Sequence, residues 1–241
     1  SWLRLEILHI LSERPRSQNT QAFLVPLLSS KQILAELGVE VRCFYGIEPR
    51  IFDCDVIAIN SKIWPGSFKD KRDQILSLLD EFSTRIRTVL YFDRSSTPAH
   101  VIPDLFPYVT KYLKTGLLRD RTAYLNPLYG GRAFADFYHR KFGIKDDVCW
   151  RFEPLTKNDD LTKLGLSWNT AFGNYSLLGP RLTSLYGYMP MSALLRYPIN
   201  YRSPASNRSL NISCRMGLNY LHESVAYQRR KLAQVLEGHQ R

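Results

Sequence analysis

Asp93, Arg94 and Ser95 stand together where a short apolar run, Thr88 to Phe92, breaks into a polar loop. A carboxylate at the C-terminal end of a parallel strand faces the crevice in which open α/β sheets hold ligands. There Asp93 could bind hydroxyls, act as a general base, or cap the following turn. Arg94 and Ser95 are adjacent candidates for substrate contact. Asp136 and His139 lie three apart on a helical pattern and share one face, a spacing at which a carboxylate can orient an imidazole. His139 is therefore a second base candidate; the alternative is a surface pair beside Arg140 and Lys141.

Other residues have the chemistry of anion contacts. Arg119 and Arg121 flank Asp120, an arrangement that suits a phosphate or acidic sugar, or an internal salt-bridge cluster. Gly130-Gly131-Arg132 opens a helical pattern. Glycines there let backbone N–H groups converge on an anion at a helix N-terminus, or serve a tight turn of positive φ. The loop Arg14–Asn19 follows the first strand and, in a doubly wound fold, overhangs the crevice, so Asn19 joins the candidate contacts. It is polar rather than glycine-rich, and neither a G-x-G-x-x-G fingerprint nor a phosphate-binding Walker loop is present. His9 sits late in the first strand, reaching the crevice or filling the core, and His100 lies beside the Asp93 loop.

These residues need a scaffold, and the hydrophobic pattern supplies one. Apolar runs at Leu3–Leu11, Val39–Phe44, Asp55–Asn60, Thr88–Phe92 and Tyr108–Leu113 read as strands, with Leu164–Asn169 a further candidate. Helical patterns lie between them: Thr20–Leu37, with an awkward Pro26 and with Gly38 as its cap, Lys69–Ile86, and a short one at Val101–Phe106. Another helix opens at Gly130-Gly131. Alternating β and α elements predict an α/β, Rossmann-like doubly wound parallel sheet. Beyond Gly143 the pattern offers a mixed helical run at Tyr175–Leu195, an exposed connector at Arg196–Ser209 and a helix at Asn219–Leu236. The division expected is a Rossmann-like domain over residues 1–195. Residues 196–241 are then a connector and helix leading to, or bridging, a second domain.

Composition bounds the partners. The 241 residues are 44% hydrophobic and 23% charged, enough to bury a core without staples. The net charge of +11 favours an anionic partner: phosphate groups, nucleic acid or an acidic membrane surface. The cations are dispersed and form no nucleic-acid tail, so a basic nucleic-acid-binding protein is only the second alternative. The many aromatics, 14 Tyr, 12 Phe and 4 Trp, interleave with Arg and Lys. Such mixtures stack on sugars or bases, or pack at a core edge. Cys43, Cys54, Cys149 and Cys214 have no C-x-x-C spacing, which argues for free thiols and against zinc. With no signal peptide and no apolar stretch of membrane-spanning length, a cytoplasmic protein is expected, with peripheral attachment to the inner face of a membrane open.

The segments YFDRSSTP, PYVTKYLKTGLLRDRTAYLNPLYGGRAFADFYHRKFGI, LGLSWNTAFGNY and the late RMGLNY and VAYQRR resemble bacterial glycosyltransferases of the GT-B type. More narrowly, they are similar to capsule- and polysaccharide-associated members. The resemblance implies the acceptor-side, N-terminal half of such an enzyme, with the donor-binding half beyond Arg241. It implies transfer of a sugar from a nucleotide-sugar to a saccharide or lipid-linked acceptor, with the nucleotide-sugar as donor substrate and no other cofactor; metal dependence is not expected, since no carboxylate-x-carboxylate strand-end motif stands out. The base candidates are then Asp93 and His139, and Arg94, Arg119 and Arg121 the anion contacts. A non-catalytic saccharide- or nucleotide-binding domain is the first alternative.

Overall fold

Val56-Ile57-Ala58-Ile59 has no polar alternation, as befits a strand covered on both faces. It forms the centre of a six-stranded, wholly parallel sheet in the computed structural model, which describes residues 6–15, 18–64, 66, 68–147, 151–168 and 216–238. The strands are β1 (Glu6–Leu11), β2 (Val39–Phe44), β3 (Val56–Asn60), β4 (Thr88–Asp93), β5 (Lys111–Lys114) and β6 (Leu164–Leu166). Their order is β2-β1-β3-β4-β5-β6. From β1 the chain steps outward to β2, returns to β3 and then runs the other way. The order therefore reverses between β1 and β3, which makes their C-terminal ends the topological switch point.

Successive side chains alternate between the two faces. Ile57, Ile59, Val89, Tyr91 and Tyr112 face α3 (Arg72–Arg85), which contributes Ile75, Leu79 and Phe82. On the other face Ile10, Val41, Ala58 and Phe92 meet Phe23 and Leu24 of α1 (Gln18–Ser29). Phe23 is wholly buried, and its ring stacks on Trp168 at 5.3 Å and meets Phe92 at 5.0 Å. Burying such a side chain stabilises the fold by about 1.5–3 kcal/mol. Gly165 of β6 sits opposite Leu113; a Cβ there would lie 2.5 Å from Leu113 Cδ2.

The α/β, Rossmann-like arrangement is thus the one expected, with local differences. The single helix read over Thr20–Leu37 is two, α1 and α2 (Lys31–Glu36). Pro26 lies inside α1, where it lacks the N–H that would bond Ala22, and the chain breaks shortly after, at Ser30. The short helix before β5 is a 3-10 turn, Pro103–Tyr108, whose prolines suit a tighter coil; β5 accordingly begins at Lys111. α4 (Ala133–Phe142) ends at Gly143, which takes the left-handed conformation, φ 67°.

The last helix, α5 (Glu223–Glu237), starts later than the Asn219 expected, because His222 is extended. It packs on α4, through Tyr227 against Tyr138 and Phe142. The expected run at Tyr175–Leu195, the connector at Arg196–Ser209, Cys149 and Cys214 lie outside the described residues. Cys43 and Cys54 are free thiols, each pushed up to about 11 mainly by burial. Among the described residues no helix is long and apolar enough to cross a membrane.

Candidate functional site

At the switch point the chain places polar side chains where the strand ends leave backbone groups unpaired. Asn60, the last residue of β3, is fully buried; its Nδ2 donates to Ser12 Oγ at 2.9 Å and its Oδ1 accepts from Lys62 N at 3.1 Å. Ser12 follows β1 directly. Ser61 Oγ accepts the backbone N–H of Arg94 at 3.0 Å. One row of small hydroxyl and amide groups therefore ties together the ends of β1, β3 and β4.

Arg94 crosses this row. Its terminal nitrogens donate to Asn19 O of α1 at 3.2 Å and to Trp168 O, beyond β6, at 3.4 Å. The guanidinium lies 5.8 Å over the Phe23 ring. Its Nε is buried and has no hydrogen-bond partner among the described residues. Burial lowers the Arg94 pKa, and the Asp93 carboxylate partly offsets that. Each terminal nitrogen has a second N–H, so the group can hold an anion while bracing α1. Asn19 enters this arrangement through its carbonyl; its side chain is exposed.

Beside Arg94, Asp93 is buried with Lys114. Lys114 Nζ lies 2.6 Å from Asp93 Oδ2 and 2.9 Å from Ser95 Oγ. Tyr112 donates to the same carboxylate at 2.8 Å, and Ser95 N donates to Oδ1 at 2.8 Å. Burial pushes the Asp93 carboxyl up, but Lys114, Ser95 and Tyr112 more than offset it, and the net value is below the ordinary one. Such a carboxylate is a weak proton acceptor and a firm anchor for cations and hydroxyls. His100 is held down to about 4 by burial, which the Asp93 carboxylate partly offsets and Lys114 reinforces. Its ring packs on Phe152, 3.7 Å between centroids.

His139 belongs to a different cluster. Its ring stacks on Tyr129 at 3.7 Å, and its Nδ1 is 2.9 Å from Ile144 O. Asp136 does not orient it: the carboxylate accepts Tyr129 N at 3.0 Å and pairs with Arg140 at 2.9 Å. Gly130 and Gly131 both have φ 64°, the conformation a tight turn demands. A Cβ on Gly130 would come within 3.1 Å of Ala135 Cβ and 3.7 Å of Asp146 Oδ2. Both glycines are buried, and the Arg132 guanidinium lies 5.7 Å over the Phe134 ring. Buried Asp146 accepts Ser224 N at 2.7 Å and Ser224 Oγ at 2.9 Å, which caps α5 from outside the helix.

The Arg119–Asp120–Arg121 group does not close on itself. Asp120 accepts both Thr122 N and Thr122 Oγ1, at 2.9 and 2.6 Å, a local turn. Arg119 is exposed, and Arg121 reaches Leu164 O at 3.5 Å. His9 fills the core rather than the crevice: it is wholly buried, with Nδ1 2.9 Å from Ile51 O. Among the described residues no group of three or more His, Cys, Asp or Glu is placed to hold a metal ion.

Sequence reasoning found Asp93, Arg94, Ser95 and the β1–α1 loop, but missed Lys114, Ser12, Asn60 and Trp168. A second lysine at the end of a short strand, as in Lys111-Tyr-Leu-Lys114, was the available signal. No model of a known protein family, no curated protein and no solved structure matches the chain.

Proposed function

We propose that this domain is the acceptor-side half of a GT-B-type glycosyltransferase, which passes a sugar from a nucleotide-sugar to a saccharide or lipid-linked acceptor. The observation that carries the reading is the convergence of Ser12, Asn60, Ser61 and Arg94 at the switch point of a parallel sheet. Such a crevice is where doubly wound sheets take ligands, and here hydroxyl and amide groups outnumber charges. That suits a polyhydroxylated ligand with one anionic group. Arg94 meets the anion; Ser95 and the Asp93–Lys114 pair hold the loop that presents it. Glycosyl transfer also needs a base at the acceptor hydroxyl. Of the two candidates, His139 meets the Ile144 carbonyl and no carboxylate among the described residues, whereas Asp93 is committed to Lys114.

A second reading, a non-catalytic saccharide- or nucleotide-binding domain, is favoured by one observation: Asp93 and His139 sit in separate clusters. The test is release of nucleoside diphosphate from a panel of nucleotide-sugars, with oligosaccharides as acceptors. Turnover that falls at least a hundredfold in Arg94→Met supports transfer. Saccharide binding without turnover of any donor supports the binding domain.

A further inference from the structure

The outer face of α4 and α5 carries rings and cations that the crevice does not use. Phe134, Phe137 and Phe142 are 38%, 49% and 45% exposed. Lys141 Nζ lies 5.4 Å over both Phe137 and Phe142. Phe142 meets Tyr227 of α5 at 5.4 Å, and Lys231 Nζ lies 5.8 Å over Tyr227. The strip thus runs unbroken across two helices, from Phe137 to Lys231, and the neighbouring Leu232 is also exposed. Nearby carboxylates are engaged: Asp136 with Arg140, Glu223 with Arg230. Glu237 stands at the far end of α5.

We infer that this strip docks the protein on an anionic lipid bilayer. Exposed phenylalanines between lysines are the composition of an interfacial helix face, with rings seated at the acyl boundary and ammonium groups among the headgroups. Lys141 and Lys231 have no carboxylate partner among the described residues and so complement lipid phosphates. A protein partner is disfavoured by Lys141 at the middle of the strip, a residue type that interface cores exclude. Nucleic acid is disfavoured because bases need open ring faces. Lys141 and Lys231 lie over these rings, which also pack on one another. The inference stands apart from glycosyl transfer, and its test uses no sugar.

The experiment is flotation of the chain with vesicles of phosphatidylcholine alone or mixed equally with phosphatidylglycerol. The protein should float with the mixed vesicles only, and less so at high salt. Lys141→Glu should weaken binding at least fivefold, the effect of about one cation near an anionic surface. Phe137→Ser should weaken it further. Lys141 is exposed, so Lys141→Glu keeps the packing and carries the test should Phe137→Ser unfold. Equal recovery with both vesicles, no recovery with either, unchanged binding of Lys141→Glu, or a dimer that Phe137→Ser dissolves would overturn the inference.

Discussion

Asp93 and Lys114 end two adjacent parallel strands in register, and their side chains meet at 2.6 Å with 5% and 1% of their surface exposed. Both charges are removed from solvent, so each leans chiefly on the other. Lys114→Met should therefore destabilise the fold by about 3–5 kcal/mol, because it strands a buried carboxylate. The double variant Asp93→Asn/Lys114→Met should recover most of that loss. Urea unfolding of the four proteins in a double-mutant cycle measures the coupling; additive losses would refute it.

The same pair sets an acid limit. The Asp93 carboxyl is lower in the folded chain than its ordinary 3.8. Its contribution is therefore complete above that value and is lost as pH falls through the folded one. Wild-type stability should drop on that acid limb, and Asp93→Asn should lack this part of the drop. Denaturation midpoints measured across the acid range would show it.

His100 acts at higher pH in the same direction. It titrates at about 4 when folded and at 6.5 in its ordinary state. Between these values the unfolded chain binds the extra proton, so stability rises with pH. The contribution is complete above 6.5, is lost towards 4, and amounts to at most about 3 kcal/mol. His100→Phe, which keeps a ring against Phe152, should flatten the stability profile in that window.

Asp146 holds α5 by accepting both Ser224 N and Ser224 Oγ. Asp146→Ala leaves buried donors unpaired, and should cost about 1–3 kcal/mol. Hydrogen exchange should quicken first in α5, with the sheet unaffected. Uniform quickening would mean that α5 is not separately held.

Arg94→Lys tests whether geometry or charge matters at the crevice. A lysine keeps the charge but cannot span Asn19 O and Trp168 O from one planar group. Binding of a sugar phosphate, followed by calorimetry, should weaken about tenfold or more in Arg94→Lys, and unchanged affinity would place the anion elsewhere.

The sequence by itself determined the sheet. The apolar runs at β3 and β4 are legible because central parallel strands are buried on both faces and need no polar alternation, and β2, at the sheet edge, is legible from the alternation of Val39-Glu40-Val41-Arg42. It also marked Asp93-Arg94-Ser95, since a carboxylate at a strand end is visible from the run that precedes it. What surrounds that carboxylate was decided only by tertiary structure. Lys114 comes 21 residues later and meets Asp93 through β4–β5 register, which no local spacing encodes. Asp136 and His139 do share a helix, yet they do not pair with each other: Asp136 takes Arg140, four residues along the same helix, and Tyr129 N, while His139 takes the Tyr129 ring and Ile144 O. Hydrophobic burial follows a pattern along the chain, whereas a buried charge is satisfied by whichever donor the packed sheet brings within about 3 Å.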